Sequence, residues 1–218
     1  MVCRMRLLVL IAMLVVLCWS APRAEDISEI RTQAESGDSA AQFEMGLYYE
    51  GKSDKDRDRR RAVDWYSRAA EQGFAWAQFN LGRIYVLGKG VAQDETRGVE
   101  WQVKAAEQGL AEAQHAIGKR YLFGVVLQQD FEQALDLITK AADQGLLDAQ
   151  KQLGAMYFQG EGVAKDVVQA HMWFSIAARR NDTSAQRYLT ILETVMDEAQ
   201  IESAQALAAQ WQAEHAAE

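Results

Sequence analysis

Thiols are almost absent from this chain of 218 residues: Cys3 and Cys18 are its two cysteines, and both stand in the first twenty positions. Its one proline, Pro22, lies close by. The segment Met1 to Ala24 has the layout of a secretory signal peptide: Arg4 and Arg6, then the unbroken apolar run Leu7 to Trp19, then a mostly small or polar stretch. No other run approaches the length of a membrane span, and this one is itself too short for a comfortable transmembrane helix. Cutting after Ala24 leaves Pro22 at the −3 position, whereas cutting after Ser20 places the smaller Cys18 there. The mature N-terminus is therefore expected between Ala21 and Glu25, and the product in the periplasm or medium. An uncleaved N-terminal anchor in the inner membrane is the alternative. A lipoprotein signal at Cys18 is disfavoured by the large Leu17 before it. Without the leader the body has no thiol nucleophile and no disulfide, although it enters an oxidising compartment. Packing alone must stabilise it.

Positive charge is also scarce. The chain has 23 Lys and Arg against 31 Asp and Glu, a net charge of −8. Removing the leader takes away Arg4, Arg6 and Arg23 and no acid, which leaves 20 against 31, or −11. Such an acidic body argues against a nucleic-acid partner. The histidines are His115, His171 and His215, and none has metal-ligand spacing. The serine-hydrolase signatures S-x-x-K, S-D-N and K-T-G are missing. Gly88-Lys89-Gly90 follows no strand, so it is not a phosphate loop. No residue is singled out as catalytic, cofactor-binding or metal-binding, and no cofactor is expected.

What the chain does have is a period of thirty-six residues. Ala77 to Glu112 aligns with three further copies across Ala41 to Ser184, and a fixed period of this size marks a solenoid. Ala41, Ala77, Ala113, Ala149 and Ala185 each open a helix, and each is followed by Gln. Met45, Leu81, Ile117 and Leu153 come next, then Gly46, Gly82, Gly118 and Gly154, then Tyr49, Tyr85, Tyr121 and Tyr157. A mid-helix Gly is about 1 kcal/mol worse than Ala. Four at one register predict a close approach by a neighbouring helix.

A second helix of each copy is expected to start at Asp58, Asp94, Asp130 or Asp166, since Asp is a good N-cap. Trp65, Trp101, Leu137 and Trp173 recur on it and are expected in the core. Alanine pairs follow, and the helix closes at Gly73, Gly109, Gly145 and Asn181. Asn is the other residue that tolerates left-handed backbone.

These residues resemble the Sel1-like repeat family, a relative of the tetratricopeptide repeats, through A-x-x-x-L-G-x-x-Y, G-x-G-V, D, W-Y or W-F, and A-A-x-x-G. The resemblance implies an all-α, right-handed α-solenoid of helix-turn-helix repeats. On this reading residues 25–40 form an N-terminal half-repeat. The full repeats are 41–76, 77–112, 113–148 and 149–184, and 185–218 holds a degenerate copy and a capping helix. The loop departs from the pattern at Gly124-Val125-Val126-Leu127 and at Gly51 to Arg57, and altered shapes are expected there. Lys52 to Arg61 is read as a solvated charge run. Asp197 to Gln200 has capping-box spacing and precedes an apolar face of Ile201, Ala204, Leu207, Ala208 and Trp211. The tail from Ala213 is expected to fray.

The resemblance also implies an adaptor that binds another protein or peptide segment, in envelope assembly, secretion or signalling. The alternative is an enzyme acting on cell-wall material or β-lactams, as suggested for cysteine-rich relatives. In such solenoids the first helices line the concave surface. The residues between Gly and Tyr are then candidates to face it: Leu47-Tyr48, Arg83-Ile84, Lys119-Arg120 and Ala155-Met156. Arg83, Lys119 and Arg120, with Asn80 one turn before Arg83, would form a positive band for an acidic partner segment. Tyr48 or Trp76 would supply an aromatic anchor. Trp76 stands out because its register otherwise holds Ala40, Glu112, Asp148 and Ser184.

Overall fold

The computed structural model describes residues 24–52 and 56–215. Eleven helices lie among the described residues, with no strand. They are α1 (Ala24–Glu35), α2 (Ser39–Lys52), α3 (Asp56–Glu71), α4 (Ala75–Leu87), α5 (Glu95–Glu107) and α6 (Ala111–Phe123). They continue as α7 (Phe131–Asp143), α8 (Leu147–Gln159), α9 (Val167–Ala178), α10 (Thr183–Glu193) and α11 (Glu198–His215). From α1 to α10 each helix packs on the next, so the chain is a stack of antiparallel hairpins. The final helix turns back onto α9. The segment expected to be a signal peptide lies outside the described residues except for Ala24, which opens α1.

The repeated glycines are where the two helices of a hairpin touch. A Cβ on Gly46 would stand 2.4 Å from Cε1 of Tyr66, and one on Gly82 would stand 2.6 Å from the carbonyl oxygen of Gly98. No side chain fits at either place. The register that packs against these glycines is Tyr66, Ile138 and Phe174, all fully buried, with Gln102 as the second-repeat member. This lies one residue beyond the expected tryptophans. Trp65, Trp101 and Leu137 are only half-buried, and of that register Trp173 alone is buried. Successive helix positions are about 100° apart, and the crossing at glycine selects the later one as the core. Trp65 and Trp101 instead carry Arg68 and Lys104 over their rings at 4.6 and 4.3 Å.

Asp94, Asp130 and Asp166 cap α5, α7 and α9 by accepting from backbone N–H groups. Asp58 does not cap α3. That helix begins at Asp56, and Asp58 sits in its first turn, 3.5 Å from Arg61. Within the charge run Arg59 pairs with Asp56 at 3.5 Å. Asp197 and Gln200 form a reciprocal capping box, at 2.8 and 3.1 Å, ahead of α11. Ala204 and Ala208 are buried, and Trp211 meets Trp173 edge-on at 5.7 Å. Helix α11 runs to His215, which stacks on Trp211 at 4.1 Å, so residues 213–215 are helical rather than frayed.

Gly73, Gly109, Gly145 and Asn181 all have positive φ, from 60° to 88°. The loop of the third copy keeps the shape of its neighbours. Val126 takes φ 67° where Gly90 and Gly162 take 81° and 73°. A β-branched residue is thus held in left-handed backbone, because the loop still has to close. The N–H of Asp94, Asp130 and Asp166 donates to Tyr85, Tyr121 and Tyr157 in turn, at 2.9 to 3.0 Å.

A ladder of glutamines joins one hairpin to the next. Gln42, Gln78, Gln114 and Gln150 are buried, and each donates Nε2 to the carbonyl of Ala34, Ala70, Ala106 or Ala142, at 3.1 to 3.4 Å. The Oε1 atoms of the first three accept from Gln72, Gln108 and Gln144, thirty residues on, at 2.7 to 2.8 Å. The fourth rung is broken, because Arg180 stands where that second Gln would be. Arg180 donates to the carbonyl of Gly145 at 2.8 Å, and Gln150 Oε1 is left buried without a partner.

Candidate partner-binding face

The first helices α2, α4, α6, α8 and α10 carry one register at Leu47, Arg83, Lys119, Ala155 and Ile191. All are exposed or half-exposed. The next register turns inward, with Ile84 and Met156 buried, so neither faces a partner. The pairs Arg83-Ile84 and Ala155-Met156 thus divide between surface and core, whereas Tyr48 and Arg120 are half-buried.

Trp76 is 40% exposed and meets Phe79 edge-on at 6.5 Å. Tyr48 is half-buried, set edge-on to Tyr49, with Lys52 Nζ 4.1 Å above its ring. Asn80 is 7% exposed, so it is a support for the face and not part of its surface. Its Oδ1 accepts from Arg83 Nη1 at 3.0 Å, which steadies an exposed guanidinium. Lys119 is exposed, while the side chain of Arg120 is 14% exposed and lies 3.7 Å from Glu95. The positive band is therefore Arg83 with Lys119, and Arg120 is largely answered from within the chain. Further along, Lys151 bridges Asp148 and Asp182, both at 3.0 Å, and both pairings hold its pKa above the ordinary lysine value.

A groove of about 510 Å³ opens beside this band. Phe79, Gln102, His115, Lys119, Arg120 and Phe123 are among the residues that line it. Burial, with Lys119 close by, holds the His115 pKa down to about 4. The imidazole is neutral at physiological pH. Gln102 escaped the sequence reading, although the signal was there: it is a polar residue in the register of Tyr66, Ile138 and Phe174. His171 lies elsewhere, 2% exposed between α9 and α10, where its Nδ1 meets Ser175 at 3.2 Å and its Nε2 lies 3.8 Å from Glu193. Among the described residues no group of His, Cys, Asp and Glu could hold a metal ion.

The same repeats are recognised in other proteins. The family model described as Sel1 repeat matches residues 39–74, 77–110, 111–146 and 147–182, well over half of the chain. A protective antigen present in uropathogenic Escherichia coli strains, displaying an SLR fold, is 34% identical with a TM-score of 0.74. The match covers 88% of this chain and 40% of the antigen, so this chain spans well under half of that protein's length. A Sel1 repeat protein from Oxalobacter formigenes is 31% identical over 85% of this chain and 76% of its own, with a TM-score of 0.72. An immunity protein from Pseudomonas aeruginosa, at 19% identity and a TM-score of 0.54, shares the fold alone. No curated protein matches the chain in sequence. Four copies of a known repeat thus make up most of the described chain, and the chain belongs to the Sel1 repeat family.

Proposed function

We propose that this chain is an exported adaptor of the bacterial envelope whose first-helix face holds a segment of another protein. Sel1 repeat proteins typically mediate protein–protein interaction. The observation that carries the reading to this face is that Trp76 and Arg83 on α4 and Lys119 on α6, two successive first helices, are all exposed. An aromatic anchor beside cations is suited to an acidic segment, and Trp and Arg are enriched at binding hot spots. Export rests on the sequence of Met1 to Ala24, and among the described residues no helix is long and apolar enough to cross a membrane.

The test is capture of partners from envelope extract on the purified mature protein, followed by mass spectrometry. A protein recovered in stoichiometric amount by the wild type, and lost with Trp76→Ala combined with Arg83→Glu and Lys119→Glu, is the expected result. Arg120 is left intact, because reversing it would set two acids against each other at Glu95. Recovery unchanged by the folded triple variant would remove this face. Turnover of peptidoglycan fragments in the same preparation would point to an enzyme instead. Intact mass in the periplasmic fraction tests export: a species beginning between Ala21 and Glu25 is expected, and a full-length species sedimenting with membranes would refute cleavage.

A further inference from the structure

Among the described residues four buried side-chain atoms have no hydrogen-bond partner: Gln102 Oε1, His115 Nε2, Gln150 Oε1 and His171 Nε2. Two have a reason within the repeat. Gln150 lost its donor to Arg180, and His171 Nε2 faces the Glu193 carboxylate at 3.8 Å. The other two, Gln102 and His115, line one groove on the first-helix face. An unpaired buried polar atom is destabilising, so two in one place call for an account.

The groove has a structural origin. In the first, third and fourth repeats the position of Gln102 is filled by Tyr66, Ile138 and Phe174. In the second, Gly98 replaces the buried Ala62, Ala134 and Ala170 of its register. Helices α4 and α5 then touch backbone to backbone, since a Cβ on Gly98 would stand 2.7 Å from the Gly82 carbonyl oxygen. Gln102, 4% exposed, lies against this contact and brings an amide where its counterparts bring apolar bulk. His115 likewise stands in the register of Phe43 and Phe79. Gln102 thus departs from an otherwise apolar register and His115 from one that also holds Lys151, and both border the same space.

We propose that this groove receives a peptide segment of the partner protein that inserts an Asn or Gln carboxamide, its NH2 donating to Gln102 Oε1 and its carbonyl accepting from His115 Nε2–H. This rests on the adaptor reading above and names what that face selects. Gln102 Oε1 can only accept, so it calls for an N–H or O–H donor and repels a carboxylate. The neutral imidazole of His115 can donate from Nε2 while Nδ1 keeps its lone pair. A primary carboxamide answers both atoms at once. Phe79 and Phe123 supply apolar walls for the methylene stem. Lys119 and Arg120 border the groove, but so do Glu112 and Asp148, so charge is confined to flanking contacts and the selection rests on the two polar atoms.

The probes are pentapeptides blocked as N-acetyl and N-methylamide, Ala-Asp-X-Asp-Ala, with X as Gln, Glu, Ser or Leu. Each is titrated into the full-length protein while the His115 ring nitrogens and the Gln102 side-chain amide are followed by NMR. The Gln peptide should bind at least about fivefold more tightly than the other three and shift both side chains, as expected for a matched buried hydrogen-bond pair. Gln102→Leu should fold, since Ile138 occupies that register, and should bring the four peptides to within about twofold of one another. Equal or tighter binding of the Glu, Ser or Leu peptide overturns the proposal, as does a preference that survives Gln102→Leu or the absence of binding by every peptide. Partner capture separates the two readings. Recovery lost in the Trp76, Arg83 and Lys119 variant but retained in Gln102→Leu keeps the face and removes the carboxamide site. Recovery retained in both removes the face as well.

Discussion

Replacing Arg180 by Gln should stabilise the protein, because it completes the glutamine ladder. In three hairpin junctions the buried Gln accepts from a second Gln thirty residues on, at 2.7 to 2.8 Å. At the fourth, Gln150 is 2% exposed and its Oε1 has no donor. Leaving that acceptor buried and unpaired costs about 1–3 kcal/mol, and a net hydrogen bond is worth about 0.5–1.5 kcal/mol. Against this, Arg180→Gln gives up an exposed bond from Nη1 to the Gly145 carbonyl at 2.8 Å. Being exposed, that bond sits at the low end of the same range. The net gain should be about 0.5–2 kcal/mol, or a rise in Tm of about 1–8 °C for a chain this size. Thermal and urea unfolding of wild type and Arg180→Gln measure it. The control is Gln150→Leu, alone and combined with Arg180→Gln. The gain must vanish in the Gln150→Leu background, since there is then no acceptor to satisfy. A gain of equal size in that background, or no gain in the wild type, would show that the orphaned Oε1 is not what separates the fourth junction from the others.

Gly109 has φ 88° and open space where a Cβ would lie, so Gly109→Val should destabilise through backbone alone, by about 1–2 kcal/mol. Gly109→Asn should lose clearly less, because Asn181 already occupies the equivalent place at φ 60°; equal shifts in urea midpoint would contradict this. Val126→Gly should raise stability by about 0.5–1 kcal/mol, the left-handed strain released less the extra freedom of Gly in the unfolded chain, and an unchanged midpoint would refute it. His115→Phe should flatten the acid side of the stability profile. The folded pKa is held near 4, below the unfolded 6.5, so the unfolded chain binds the proton first and wild-type stability falls as pH drops through that window. Urea midpoints at pH 7.5 and 4.5 test the sign, and identical slopes for both proteins would exclude His115 as the source. Gln102→Leu should hold or raise stability while weakening peptide selection, since it removes a buried acceptor without a partner; a clear loss of stability would mean that the amide has a structural partner.

The repeat and its punctuation could be read directly from the chain. Period, glycine register, Asp caps and closing Gly or Asn are local rules: each is set by a few neighbouring residues and by φ, and Asn181 shows the chemistry surviving a change of letter. Where the local rule is disturbed, neighbouring residues no longer settle the structure. With Asp54, Asp56 and Asp58 all able to begin α3, register alone chose Asp58, and the helix begins at Asp56. The Val126 loop looked altered by composition, but closure against Asp130 imposed the standard shape and left the strain on Val126.

Other features depended on which residues meet across helices, and no local rule carries that. The crossing at glycine selected Tyr66 over Trp65 as the core position, a rotation of one residue that both sequence registers permit. The Gln after each repeated Ala was plain in the sequence, but its role needs an alanine carbonyl eight residues back and a second Gln thirty residues on. Asn80 and Arg120 looked like surface groups until packing buried the first and set Glu95 beside the second. Gln102 and His115 are thirteen positions apart and unrelated by repeat register, and only the stacking of α5 on α6 brings them to one groove. The sequence by itself determined the unit and its period, because these follow from short-range backbone chemistry. Tertiary structure alone decided which polar atoms end up buried without a partner, because that depends on where every neighbouring helix places its own.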